Sequence, residues 1–392
     1  MTAGVVSAFD FAARPRIISG PGVAARLGAL ARELGASRVL LVTDPGIVSA
    51  GHAARLVANL QAAEIAVEVF DRVRENPGTR EVDACLIAAR AFGPDAIVAA
   101  GGGSSLDTAK GCNFLYSNGG KMRDYWHTGA ASKPFLPLIA VPTTAGTGSE
   151  CQSFALIVDE ESHQKMACGD PKALARIALL DPELTLTQPR RVAALTGFDA
   201  LVHALETAVT TKRTPVSSLF AREAFALIQA NLPRVLETPS DLDARQAIQV
   251  GAAWAGVAIE HSMLGATHAC ANPLTIRHGI LHGQAVGMML PSVLRFNAGD
   301  PATAEIYAAL AVQAGLNPGG TTVAAVDALI SRVEGLARLA GLPSGLADCG
   351  VAEADLPALV ESATTQWTGR FNPRPVDREA FLALYRAALH AA

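Results

Sequence analysis

The chain reads as an α/β N-terminal domain built on a parallel sheet, followed by an all-α C-terminal domain. Three observations predict this. Up to about residue 185, short continuous runs of β-branched and aliphatic residues alternate with Ala/Leu-rich stretches of helical length. Beyond that point long helical patterns take over and β runs become rare. Half of the 392 residues are apolar and only 17% are charged, which supplies a core large enough for both parts. The expected domains are 1–185 and 186–392.

Taken in order, the helically spaced VAARLGALARELG precedes the run RVLLVT at 38–43, and HAARLVANLQAAE precedes AVEVF at 66–70. The run at 96–100 ends in Gly101-Gly102-Gly103, and the run at 137–141 ends in Pro142-Thr143-Thr144. Strands apolar along their whole length belong to a parallel sheet covered on both faces, and in such sheets ligands sit beyond the carboxyl ends of the strands. After Asp181-Pro182 the clearest helices are TGFDALVHALETAV, VSSLFAREAFALIQANL, ARQAIQVGAAWAGVAIEHSML, TVAAVDALISRVEGLARLAG and DREAFLALYRAALHAA. No internal repeat or low-complexity linker interrupts them.

Composition narrows the partners. Lys and Arg number 32 against 36 Asp and Glu, a formal net charge of −4, with no basic block; this argues against nucleic acid or an anionic membrane. The most apolar stretch, 249–273, carries Glu260, His261, His268 and Asn272, all costly in hydrocarbon. The N-terminus lacks a basic segment leading into an apolar one, so no secretory signal is expected. Six cysteines without a CxxC pair read as reduced, mostly buried thiols of a cytoplasmic protein.

Two strand-end turns suggest a phosphate cradle. Gly101-Gly102-Gly103-Ser104 opens a helix after a buried strand, where close backbone N–H groups and the helix dipole favour an anion. Taken alone, this is equally a tight turn with Ser104 or Ser105 as N-cap. A second turn, Pro142 to Glu150 (PTTAGTGSE), adds four hydroxyls and two glycines on the same sheet. Two such turns favour a dinucleotide pyrophosphate site. Asp44, just after a strand, can bind an adenosine ribose and repel a 2′-phosphate, although here the acid precedes the glycines instead of following them. Its alternative role is to initiate an Asp-Pro-Gly turn.

Asp199 and His203, at i and i+4 of a helical pattern, project from one face among apolar neighbours. His268 and His282 lie in similarly apolar surroundings. A buried carboxylate with three imidazoles suits a divalent cation, and this ligand set does not choose between Zn²⁺ and Fe²⁺. The alternative is a set of hydrogen-bonded core histidines. Glu206 reads as a supporting or ion-pairing group instead of a fifth ligand. A dinucleotide site in one domain and a metal site in the next, meeting at an interdomain cleft, would perform hydride transfer.

GGGSSLDTAK, PTTAGTGSE, DPELT, GFDALVHALE and the His268–His282 pair leading into HGQAVG resemble, in order, the motifs of the iron-containing (group III) alcohol dehydrogenases. RVRENPGT at 72–79 and FNPRP at 371–375 resemble that family's Asn-Pro-Thr and Asn-Pro-Arg segments. The resemblance implies a Rossmann-like first domain, an architecture shared with dehydroquinate synthase, and alcohol–aldehyde or ketone interconversion with NAD, less readily NADP. It places the metal, iron ahead of zinc, on Asp199, His203, His268 and His282. It places the pyrophosphate on Gly101, Gly102, Gly103 and Ser104, further cofactor contacts on Thr143, Thr144, Asp107 and Lys165, NAD selection on Asp44, and the nicotinamide end near Asn76. It also implies a homodimer or larger homo-oligomer.

One position departs from the family. Many members carry a histidine four residues after the third ligand, credited with proton relay, where this chain has Asn272. An amide is no general base. His278 is the candidate imidazole for a relay, its alternative role being to shape the pocket; His261 is a weaker candidate, and His127 is expected on a loop. The rival functions are a hydroxy-acid dehydrogenase, with Arg277 binding the carboxylate, a transhydrogenase, and a lyase resembling dehydroquinate synthase. A phosphate-bearing substrate would want more basic residues near the metal helices than Lys212, Arg213 and Arg277.

Overall fold

In the computed structural model, which describes residues 8–162, 164–316 and 319–390, the chain divides into two units. One comprises residues 12–188; the other begins at 189 and includes residues 8–11. The first seven residues, part of the stretch read for a leader, lie outside the described residues.

The first unit runs β1 (Arg16–Ser19), α1 (Leu27–Glu33), β2 (Arg38–Val42), α2 (Pro45–Ser49), α3 (His52–Ala62), β3 (Ala66–Phe70), α4 (Thr79–Phe92), β4 (Ala96–Gly101), α5 (Gly103–Asn118), β5 (His127–Thr128), β6 (Leu138–Pro142), β7 (Phe154–Asp159), β8 (Gln164–Gly169) and β9 (Ile177–Leu180). Six of these strands form one parallel sheet in the order β1-β9-β6-β4-β2-β3. The continuous apolar runs are explained by burial on both faces: Leu40, Val42, Ile97, Ala99 and Ala140 belong to one core, and Val39, Leu41, Val98, Ala100 and Val141 to the other. In the register of β4 with β6, Gly101 lies opposite Pro142, so the glycine turn and the threonine turn leave the sheet side by side.

Sequence patterning did not reveal a second sheet, ordered β5-β8-β7, whose β7 and β8 pair antiparallel. Its strands alternate buried and open positions, a weaker signal than an unbroken apolar run. It also accounts for His127, expected on a loop, which begins the two-residue strand β5.

The second unit is helical: α6 (Arg190–Thr207), α7 (Pro215–Glu237), α8 (Leu242–Glu260), α9 (Ala266–His278), α10 (His282–Ala298), α11 (Pro301–Gln313), α12 (Thr322–Ala340), α13 (Leu356–Thr364) and α14 (Arg378–Leu389). Helices α9 and α10 continue through Pro273 and Pro291, residues that argue against a helix interior when read locally. Among the described residues no helix is long and apolar enough to cross a membrane.

Candidate active site

In the first unit α5 opens at Gly103 with Gly102 as its N-cap and no side-chain cap. Neither Ser104 nor Ser105 takes the capping role open to them in the sequence. Ser105 instead donates its hydroxyl to Asp44 Oδ2 at 3.1 Å. Gly101 has φ 148°, and a Cβ there would lie 2.3 Å from Ser105 Oγ and 2.9 Å from Asp44 Oδ2. Such a backbone geometry is open to glycine and hardly to any other residue. A Cβ on Gly103 would meet Thr147 Cγ2 at 2.7 Å, and Thr143 N–H donates to Gly101 O at 3.0 Å. The two turns therefore pack closely together, with Thr143 against Gly101 and Thr144 beside Gly102.

Asp44 performs the local role: its Oδ1 accepts from Gly46 N–H and Ile47 N–H at 2.9 and 3.1 Å and caps α2. Its other oxygen reaches the glycine turn through Ser105. Lys165 donates to Asn76 Oδ1 at 3.4 Å, and Asn76 holds a left-handed backbone at φ 50°. Asp107 is buried and accepts from Ser149 Oγ at 2.8 Å; burial pushes its carboxyl up, against the pull of Lys110 and of that hydrogen bond.

Lys110, absent from the site residues read in the sequence, is wholly buried. Its Nζ donates to Ser149 O, Ser149 Oγ, Gln152 O and Phe154 O at 2.6–2.9 Å, tying α5 to the far end of the threonine turn. The available signal was a lysine among apolar neighbours, a residue type almost never fully buried unless paired.

In the second unit Asp199, His203 and Glu206 fall at i, i+4 and i+7 along α6 and share one face. Asp199 Oδ1 lies 3.4 Å from His203 Nε2, 3.7 Å from His268 Nε2 and 3.8 Å from His282 Nε2. The two ring nitrogens of His203 and His268 are 3.1 Å apart. Four donor atoms bonded at about 2.0–2.2 Å to one tetrahedral ion would stand about 3.3–3.6 Å from each other. The three spacings from Asp199 Oδ1 and the one between His203 and His268 bracket that range. Asp199 Oδ1 is also buried without a hydrogen-bond partner of ordinary geometry, a costly state that a cation relieves. Asp199, His268 and His282, whose donor atoms all lie within 4.8 Å of one another, thus fit a divalent ion, and His203 stands beside Asp199 and His268 as a further donor.

Asp199, His203 and His268 have side chains only 5–6% exposed, whereas His282 is 26% exposed, so the open side of the cluster lies by His282. Burial alone would raise the Asp199 carboxyl, but the facing imidazoles hold it far below the usual carboxylate range. For His268 burial works against the charged form, yet Glu206 and Asp199 push the imidazole up to about 9.

Close packing brings α10 to α6. A Cβ on Gly283 would stand 2.3 Å from the Leu195 carbonyl oxygen, and one on Gly287 would strike Leu342 and Phe198. Because the first obstacle is backbone, Gly283→Ala is expected to displace the start of α10, and His282 with it. The substitution should lower stability by about 1–3 kcal/mol and weaken metal uptake; an unchanged urea midpoint and unchanged zinc content per chain would contradict this.

Asn272, in the same face of α9 one turn beyond His268, donates to Gln366 Oε1 at 2.9 Å. His278 is the last residue of α9 and half-buried. His261 caps the end of α8 and packs on Phe11 at 4.8 Å between ring centroids. Arg277 is exposed and donates to Ser362 Oγ at 3.1 Å.

The family model for iron-containing alcohol dehydrogenase matches residues 14–182, and that for the C-terminal part of the Fe-containing alcohol dehydrogenase family matches residues 193–389. The chain is 33% identical over 381 residues to the NAD-dependent methanol dehydrogenase of Bacillus methanolicus, covering 97% of this chain and 100% of that one. The crystal structure of a 1,3-propanediol oxidoreductase superposes with a TM-score of 0.94 at 32% identity, covering 98% of this chain and 100% of the other. The sulfoacetaldehyde reductase of Bifidobacterium kashiwanohense, solved with NAD⁺, gives 0.88 at 28% identity over 97% and 99%. With both halves matched along nearly their whole length, the chain belongs to the iron-containing alcohol dehydrogenase family.

Proposed function

We propose that this protein interconverts a small alcohol and its aldehyde or ketone, with NAD as the hydride partner and one divalent ion, iron in preference to zinc, held by Asp199, His203, His268 and His282. The observation that carries the reading is the cluster of donor atoms from Asp199, His268 and His282, all within 4.8 Å of one another, with His203 Nε2 at 3.4 Å from Asp199 Oδ1 and 3.1 Å from His268 Nε2. When bound, the ion and the nicotinamide supply Lewis acidity at the substrate oxygen and hydride exchange at the adjacent carbon.

The chain's own residues do the rest. Gly101, Gly102, Gly103 and Ser104 offer backbone N–H groups at the start of α5 to the diphosphate, and Thr143 and Thr144 flank it with hydroxyls. Asp107 and Lys165 support the cofactor side, and Asn76, held by Lys165, borders the nicotinamide end. His278 is the imidazole that takes up the alcohol proton; Asn272 orients by hydrogen bonding and carries no proton. Residues 1–185 form the nucleotide domain in this reading and 186–392 the metal domain. We place the protein in the cytoplasm as a homodimer or larger homo-oligomer, and its six free cysteines fit a reducing compartment.

The test is metal analysis of the purified protein together with an alcohol panel run with NAD and with NADP. Stoichiometric iron or zinc and NADH formation are expected; a metal-free protein at full turnover would refute the reading. Asp44→Gly is expected to relax discrimination against NADP, read as the ratio of kcat/KM values for the two cofactors, and to cost only about a few tenths of a kcal/mol at the α2 cap, where glycine is itself tolerated. An unchanged ratio would remove Asp44 from cofactor selection.

A further inference from the structure

Helix α9 carries His268 on its first turn, and that turn has no local side-chain cap. Its first-turn N–H groups, which are buried, are served from elsewhere in the chain. Ala266 N–H donates to Asn372 Oδ1 at 3.2 Å, and Thr267 N–H to Glu206 Oε1 at 2.6 Å. The second oxygen of Glu206 faces His268 Nδ1 at 2.5 Å. Gly265 leaves room for both groups: a Cβ there would lie 3.0 Å from Asn372 Oδ1 and 3.2 Å from Glu206 Oε1. Glu206 itself is 4% exposed and stands one turn past His203 on the face of α6 that bears Asp199.

We infer that Glu206 is a positioning residue for the metal centre: its carboxylate accepts Nδ1–H of His268 and Thr267 N–H together, which leaves the lone pair of His268 on Nε2, the atom that faces Asp199 and His203. The inference rests on the metal reading above. The chemistry follows from the donor inventory. A carboxylate only accepts, so it holds the imidazole in the tautomer a ligand needs, and it fixes the ring plane through its second bond to the backbone. One face of α6 thereby supplies two ligands and the support of a third.

Glu206→Gln separates this role from simple anchoring. The amide has nearly the same shape but only one accepting atom. If its oxygen keeps Thr267 N–H, its NH₂ meets His268 Nδ1 and drives the imidazole proton to Nε2, where it blocks ligation. If it turns over, NH₂ opposes the Thr267 N–H. Asn372→Ser loosens the same helix start at Ala266 without touching His268.

The experiment measures the zinc dissociation constant by competition with a chromophoric chelator, alongside thermal unfolding of the metal-free proteins. Glu206→Gln is expected to weaken zinc binding by about 10- to 100-fold, while Asn372→Ser lowers the unfolding temperature and leaves the zinc constant near that of the parent. Equal zinc affinity in Glu206→Gln and the parent would overturn the inference, as would an equal loss in both variants. Should Glu206→Gln fail to fold, ¹⁵N-histidine spectra of the zinc-loaded parent decide: a proton on His268 Nδ1 supports the inference and its absence overturns it. A parent protein that takes up neither zinc nor ferrous ion overturns the metal reading itself, a distinct result.

Discussion

His268→Ala is expected to yield a protein that retains no metal after dialysis and oxidises alcohols at least about 10³-fold more slowly, since Lewis-acid stabilisation supplies several kcal/mol at about 1.36 kcal/mol per tenfold. The loss is larger than that of one ligand. His268 lies between two buried carboxylates, Asp199 on its Nε2 side and Glu206 on its Nδ1 side. Without the imidazole, Glu206 keeps Thr267 N–H but loses its ring partner, and a buried charge left short of partners costs about 3–5 kcal/mol. His282→Ala should lose activity and metal to a similar degree with a smaller stability penalty, because that side chain is partly exposed and has solvent to replace what is removed. Metal content, steady-state rates and urea midpoints of the two variants check this. Substantial turnover in metal-free His268→Ala would end the ligand assignment, and equal stability losses would contradict the account of Glu206.

Lys110→Met is expected to have the largest effect in the first unit. The apolar replacement nearly fills the volume but leaves Ser149 O, Gln152 O and Phe154 O without the ammonium that serves all three, and leaves buried Asp107 without the stronger of the two positive charges acting on it, Lys165 being the other. Breaking such an arrangement from one side costs about 3–5 kcal/mol, or roughly 6–20 °C in unfolding temperature for a unit of this size. The threonine turn is then free to drift, so the KM for NAD should rise while the metal content stays at the parent's level. Calorimetry and cofactor titration check both parts. Parent-like stability, or metal lost in step with NAD, would show that Lys110 does not act by anchoring the turn.

Gly283, Asp44 and Lys110 illustrate three kinds of legibility. Asp44 was visible because a carboxylate at a strand end, next to Pro and Gly, is locally unusual; one of its oxygens performs the turn-initiating role the sequence allowed, and the other accepts from Ser105 at the glycine turn. Gly283 was visible only as part of a motif; what it permits, a backbone-to-backbone approach of α10 to α6, is a property of two segments far apart in the chain. Lys110 stood in a motif whose glycines and serines drew the chemical reading, and nothing local told that its ammonium would meet three carbonyl groups.

What the amino-acid sequence determined alone is whatever the backbone repeats locally. Unbroken apolar runs specify strands covered on both faces, glycines and threonines at their carboxyl ends mark where an anion can approach, and an i, i+4 spacing puts Asp199 and His203 on one side of a helix. Only the tertiary structure decided which distant groups meet: His268 and His282 with that helix face, Glu206 with both the ring and the backbone of α9, and the alternating β7–β8 pair with its parallel neighbour. Those meetings depend on how closely helices pack, which is set by glycine contacts, internal prolines and nonlocal caps. Free energies of this kind belong to pairs of segments, and no periodicity within either segment records them.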